Sequence, residues 1–116
     1  MLELTEDQLL QMRQHEHAAF VDRVRAELVV KFPELASDDR LEQRLLVAHD
    51  RAIGFGLESA QARTQFLYQE AFAPGFYEAP AFVAWIKRPG AEPEQRWRDF
   101  MALAEARVGL NETQKE

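Results

Sequence analysis

Apolar residues near the start of the chain recur at steps of three and four, which is the spacing of one face of an α-helix. The positions that form this stripe are Leu9, Met12, Phe20, Val24 and Leu28, with the charged Glu16 on the same line between Met12 and Phe20. Thr5, followed three residues later by Gln8, has the form of a capping box, and proline after Phe32 disfavours helix at that residue. The pattern predicts a long N-terminal helix of about 25 residues.

The next two predicted helices are bounded by helix-start and helix-stop residues. Ser37 or Asp38 can cap the second helix, and the glycines of segment 54–56 close it. Ser59 can cap the third helix, which Pro74 and the glycine after it bring to an end.

Two further segments complete the predicted fold. A brief fourth helix is expected over 81–87, and Pro93 suits the first position of the last helix. No segment shows the alternation of a β-strand. We therefore expect an all-α protein, a compact bundle of about five helices, with one domain over residues 1–110 and a frayed polar tail over 111–116.

Composition narrows the classes of partner. The 116 residues include 14 basic and 20 acidic side chains, a net charge of -6, and no cysteine. A net negative surface repels nucleic-acid phosphates and anionic lipids, so neither nucleic acid nor a membrane is an expected partner. No basic and apolar leader and no apolar run of the ~20 residues that span a bilayer is present, which predicts a soluble, cytoplasmic protein.

Residues that could carry chemistry do not form a recognisable set. His15 and His17 project to opposite sides of a helix and cannot share one metal ion, and His49 would meet either only through the tertiary fold. The carboxylates are scattered, and helix capping explains Ser37 and Ser59. The sequence therefore predicts no catalytic residue, no metal and no cofactor, and a protein that is not an enzyme.

Aromatic residues are concentrated in the middle of the chain, where seven of the twelve lie within segment 66–85. Most are expected to fill the core, but aromatic side chains also dominate the energetics of protein interfaces. The candidate partner-interface residues are Phe72, Phe76, Tyr77, Phe82 and Trp85. The exposed face of the first helix is a second candidate surface.

The order of these motifs resembles a family of small helical proteins associated with bacterial type VI secretion. The resemblance is carried by Arg-x-x-Ala-Glu-Leu-x-x-x-Phe-Pro-Glu over 23–34, by Arg-Ala-x-x-x-Gly over 51–56, and by a Phe-rich helix leading to Pro-Gly-Phe and Trp-Ile over 66–86. It extends over approximately residues 5–108. These motifs mark helix ends and turns, and none is a catalytic signature.

The resemblance implies a co-chaperone that binds an adaptor chaperone during effector loading, until a spike-tip protein and the effector take over. It supplies no catalytic or binding residue to assign. Such a protein could form a homo-oligomer when unpartnered. An immunity protein that neutralises a toxin is the alternative, since an acidic surface suits a basic nuclease toxin. A small enzyme or ligand-binding helical domain is the third possibility.

Overall fold

A computed structural model describes residues 5–114, with their side chains up to residue 103. Within this part the chain is all-α and has no strand, which confirms the predicted fold class. The helices are α1 (Glu6–Lys31), α2 (Leu41–Gly54), α3 (Ala60–Phe72), α4 (Pro80–Ile86) and α5 (Pro93–Gln114), with 3₁₀ turns at Pro33–Ser37 and Phe76–Glu78. No helix in the described part is both long and apolar enough to cross a membrane.

Two of the predicted helix caps are present as side-chain hydrogen bonds. The Thr5 hydroxyl accepts the backbone N–H of Gln8 at 3.1 Å, and the Gln8 side chain accepts the N–H of Thr5 at 2.9 Å. The Ser59 hydroxyl accepts the N–H of Ala62 at 3.1 Å. Both caps satisfy backbone groups that a helix N-terminus leaves without partners, and α1 and α3 begin where the sequence places them.

The predicted cap of the second helix is wrong. Segment Pro33–Ser37 forms a 3₁₀ turn, and α2 begins later, at Leu41, with no side-chain cap. The Ser37 hydroxyl instead donates to the carbonyl of Glu34, and the Asp38 carboxylate accepts the N–H of Arg40. Because Arg40 occupies the N-cap position of α2, Ser37 and Asp38 lie too far before the helix to cap its first turn.

The connections between the later helices lie at the glycine and proline residues that the sequence predicted to end or begin helices. Gly56 has a φ of 93°, a left-handed conformation that glycine adopts readily. A Cβ atom there would lie 3.0 Å from Cγ of Pro93, so glycine also allows the end of α2 to approach the start of α5 closely. Helix α5 extends to Gln114; residues 115–116 lie outside the described part, and fraying over 111–116 stays a prediction.

The core has an aliphatic part and an aromatic part. The aliphatic part lies where α1, α2 and α3 meet, and its buried residues include Val21, Val24, Leu28, Leu41 and Leu45. The aromatic part surrounds Phe66 of α3, whose ring centroid lies 4.8 Å from that of Phe76 and 5.3 Å from that of Trp97. The aromatic part joins α3 to the α4–α5 segment.

The first half of α1 projects beyond the other helices. Residues 5–16 are exposed at every position, whereas Phe20, Val21, Val24 and Leu28 of the second half are buried. Leu9 and Met12 were expected on the buried stripe, but no other helix covers them. Only the second half of the predicted stripe therefore belongs to the core.

A buried ion pair connects the aliphatic part to the turn after α3. Glu70 of α3 is 2% exposed. Its carboxylate accepts hydrogen bonds from the Nε–H of Arg44 at 3.4 Å and from the backbone N–H of Gly75 at 2.9 Å. The Arg44 guanidinium also donates to the carbonyl of Glu70 at 2.7 Å and to the Asp38 carboxylate. One arginine of α2 therefore binds the segment that precedes its own helix and the end of α3.

Replacing Arg44 is expected to destabilise the fold strongly. Arg44→Met removes the cation that faces the buried Glu70 carboxylate, and an uncompensated buried charge costs about 3 kcal/mol of unfolding free energy. Urea denaturation followed by circular dichroism at neutral pH measures this difference.

Arg40→Met is the matched control, because its side chain is exposed and only its backbone N–H contacts Asp38. Equal unfolding free energies for the two variants would show that the Arg44–Glu70 pair does not stabilise the protein.

Candidate protein-binding surface

The five residues predicted as a partner interface do not lie on one exposed surface. Tyr77 and Phe82 are each 6% exposed and belong to the aromatic part of the core. Phe76 and Trp85 are half-buried, and Phe72 is exposed. Tyr77 and Phe82 therefore belong to the core in this conformation and not to an exposed surface, and a partner interface among the five residues stays a prediction.

The buried members of this set contact one another around Phe66. The Tyr77 ring stacks on it with a centroid distance of 5.7 Å, and the Phe82 ring lies 5.2 Å from that of Phe76. Burial, with a smaller contribution from Glu70, raises the pKa of the Tyr77 hydroxyl. Phe76 and Tyr77, which lie between Pro74 and Pro80, thus fill the junction between α3, α4 and α5.

Trp85 stabilises the connection between α4 and α5. Its indole N–H donates to the carbonyl of Arg96 at 3.0 Å, and the Arg96 guanidinium lies 5.3 Å from the centre of its ring. The same guanidinium donates to the carbonyl of Pro89 at 2.8 Å, within the turn between the two helices. These contacts account for Trp85 as a structural residue of that turn.

Phe72 is the only exposed aromatic side chain among the residues whose burial the structure describes. It is the last residue of α3 and is 54% exposed, although its ring contacts that of Phe32 at a centroid distance of 4.8 Å. An aromatic ring held by an edge-to-face contact and half-open to solvent can bind an apolar group without first being ordered.

Phe72 borders a groove between α1, α3 and α5 with a volume of about 410 Å³. Tyr68 and Met101 contribute apolar surface, and Glu27 and Lys31 form an ion pair of 3.1 Å at its edge on α1. We refer to this concavity as the α3 groove; its lining residues are Glu27, Lys31, Thr64, Gln65, Tyr68, Gln69, Phe72 and Met101.

The α3 groove continues along the α3–α5 boundary. A smaller depression of about 200 Å³ shares Gln65 and Met101 with it. Between the two helices the indole N–H of Trp97 donates to the Gln65 side chain at 2.9 Å, which fixes their spacing. The α3 groove is lined by both apolar and polar side chains, a mixture that also occurs in protein-binding sites.

Helical spacing could have identified the α3 groove from the sequence. Gln65, Tyr68 and Phe72 recur at steps of three and four, on the side of α3 opposite to Phe66 and Glu70. Counting all aromatic residues as one cluster hid this separation. Met101 could not have been found in this way, because it reaches the groove from α5.

The tertiary fold brings two histidines together, although their sequence spacing gave no reason to expect it. The rings of His17 and His49 lie 4.9 Å apart, and His49 is 1% exposed. Nε2 of His49 accepts a hydrogen bond from the Arg63 guanidinium at 3.2 Å. Across the described residues, no three acidic or histidine side chains are close enough to hold a metal ion.

The surroundings of His49 favour its neutral form. Burial first, and then repulsion from His17 and Arg63, lowers the pKa of His49 from 6.5 to about 4, against a small opposing effect of Asp50. A neutral imidazole has a lone pair for the Arg63 N–H, so the hydrogen bond and the lowered pKa agree. His49 therefore connects α2 to α3 as a neutral acceptor.

No protein-family model, curated protein or solved structure matches this chain. The interpretation of the α3 groove therefore depends on its own geometry, and the relation to secretion-associated accessory proteins stays a prediction.

Acid is expected to destabilise the protein through His49. The unfolded chain binds a proton at this residue near pH 6.5 and the folded chain only near pH 4. Above pH 6.5 His49 is neutral in both states, so its protonation does not reduce the unfolding free energy there. As the pH falls from 6.5 to 4, about 3 kcal/mol of unfolding free energy is lost. Urea denaturation at intervals across this range measures the loss.

His49→Gln is expected to flatten this pH dependence, because an amide can accept from Arg63 but does not titrate. His15→Gln, on the exposed first half of α1, should retain the wild-type slope. Identical slopes for the wild type and His49→Gln would contradict the assignment to His49.

Proposed function

We propose that this chain is a protein-binding accessory that binds an adaptor chaperone during type VI secretion effector loading. The observation that carries the proposal is Phe72, an exposed aromatic side chain beside a groove of mixed apolar and polar lining. The sequence resemblance supplies the identity of the partner and the bacterial cytoplasm as the location. The groove supplies the means of binding.

The α3 groove fits an apolar helix or projecting side chain of the adaptor. Phe72 and Tyr68 offer aromatic surface, and Met101 offers a flexible side chain that adjusts to different shapes. The Glu27–Lys31 pair remains exposed at the edge, where it can orient a partner without the cost of burying a charge. Apolar side chains together with exposed charged ones are the usual composition of a protein interface.

The proposed role requires no catalytic residue, cofactor or metal. The buried polar side chains are used within the fold: Glu70 binds Arg44, and His49 binds Arg63. We therefore propose that the chain acts by binding and is not an enzyme.

Phe72→Ala is expected to weaken adaptor binding about 30-fold, since loss of an aromatic hot spot costs about 2 kcal/mol of binding free energy. The unfolding free energy should fall by no more than about 1 kcal/mol, because the ring is half-exposed and its main contact is Phe32. Isothermal titration calorimetry with the purified adaptor measures the affinity.

Leu46→Ala on α2 is the matched control, as this side chain is 40% exposed and does not line the α3 groove. It should leave the affinity unchanged. A similar loss of affinity in both variants, or none in either, would rule out the groove as the adaptor site.

Identification of the partner tests the function itself. The tagged chain, purified from its own cells, is expected to co-purify with an adaptor chaperone that in turn binds a spike-tip protein or an effector. Recovery of a single toxin domain, together with protection of cells from that toxin, would instead establish the immunity alternative. The net charge of -6 favours that alternative for a basic toxin.

A further inference from the structure

A second series of exposed positions runs along α1. It begins at Leu9 and Met12, which also belong to the predicted stripe, and then departs from the residues that α1 buries. These positions alternate in steps of three and four residues and are all exposed: Leu9, Met12, Glu16, Ala19, Arg23, Ala26 and Val30. We call this series the outer stripe. Alternation of three and four is the a/d repeat by which one helix packs along another.

The outer stripe carries apolar side chains that no other helix in the described part covers. Val30 is 80% exposed and Met12 is 48% exposed, with small alanines between them. Apolar side chains therefore lie both on the outer side and on the side that faces the core. A helix whose only packing surface was the core would need just one of these faces.

From the charges on the outer stripe we infer that its occupant is α1 of a second copy of this chain, running antiparallel. Glu16 and Arg23 lie equally far on either side of the midpoint between Ala19 and Phe20. A two-fold axis at that midpoint places Glu16 of each copy opposite Arg23 of the other, which forms two ion pairs.

The same axis matches the apolar positions. Leu9 and Val30 are also equally far from the midpoint, so each would lie opposite the other in the second copy. Ala19 would lie beside the axis, where a small side chain lets the two helices approach closely. A parallel arrangement would instead place Glu16 against Glu16 and Arg23 against Arg23, which is repulsive.

The contact is a single helix pair, so the dimer is weak. Polar residues at a positions fix the register at a cost in stability, and α1 alone offers less area than the ~800 Å² per partner of a standard interface. We therefore expect micromolar association. The outer stripe shares no residue with the α3 groove, so this inference does not depend on the proposed function.

Sedimentation velocity of the full chain over a range of concentrations tests for the dimer. The wild type should change from monomer to dimer in the micromolar range, and Val30→Asp should raise the midpoint concentration at least about tenfold. Val47→Asp on α2, 45% exposed, is the matched control and should behave as wild type. A wild type that remains monomeric throughout, or a dimer that is insensitive to Val30→Asp, overturns the inference.

Charge reversal tests the antiparallel pairing. Glu16→Arg alone and Arg23→Glu alone each place like charges in contact and should weaken the dimer about tenfold or more. The double variant restores both ion pairs with the signs exchanged and should return to within about threefold of wild type. A double variant as weak as the product of the two single effects would overturn the pairing.

Disulfide cross-linking provides a direct measure of direction, since the chain has no cysteine of its own. The double variant Glu16→Cys, Arg23→Cys should form a covalent dimer on mild oxidation. The two thiols of one copy are about 10 Å apart along the helix, too far for an internal bond. Glu16→Cys alone should remain uncross-linked; if it cross-links as efficiently as the double variant, the helices run parallel and the inference is wrong.

Discussion

The buried Glu70 carboxylate imposes the strongest constraint on this fold. A charge enclosed by protein is tolerated only when a cation and hydrogen-bond donors surround it, and here these come from Arg44 and the Gly75 backbone. Because Arg44 must stay beside Glu70, α2 cannot slide along α3. The bond from Gly75 also holds the turn after α3, from which the segment with Phe76 and Tyr77 begins. The positions of Tyr77 and Phe82, and through them α4 and α5, depend on that turn.

Short-range sequence patterns predicted where most helices begin, but they did not predict which side chains meet between helices or remain exposed. The Thr5 and Ser59 caps were predictable because a side chain and the backbone group that it binds lie three residues apart. Ser37 has the same pattern, but it is not a cap because it belongs to a 3₁₀ turn and α2 begins only at Leu41. The His17–His49 contact brings together residues from different helices, and no pattern within either helix encodes it.

The aromatic residues show the same limit more sharply. Tyr77 was a candidate interface residue, yet the ring of Phe66 stacks on it and only 6% of the residue is exposed. Phe72 resembled the others in sequence and differs only in its direction around α3. Whether an aromatic side chain of α3 fills the core, as Phe66 does, or faces solvent, as Phe72 does, is decided by that direction.

The projecting first half of α1 has a consequence for local stability. Residues 6–16 gain no burial from other helices, and an isolated helix of that length is marginal in water. In the free monomer the backbone amides of this half should therefore exchange their hydrogens far faster than those near Leu28, which is fully buried. A partner that binds the projecting half would therefore also stabilise its helical conformation.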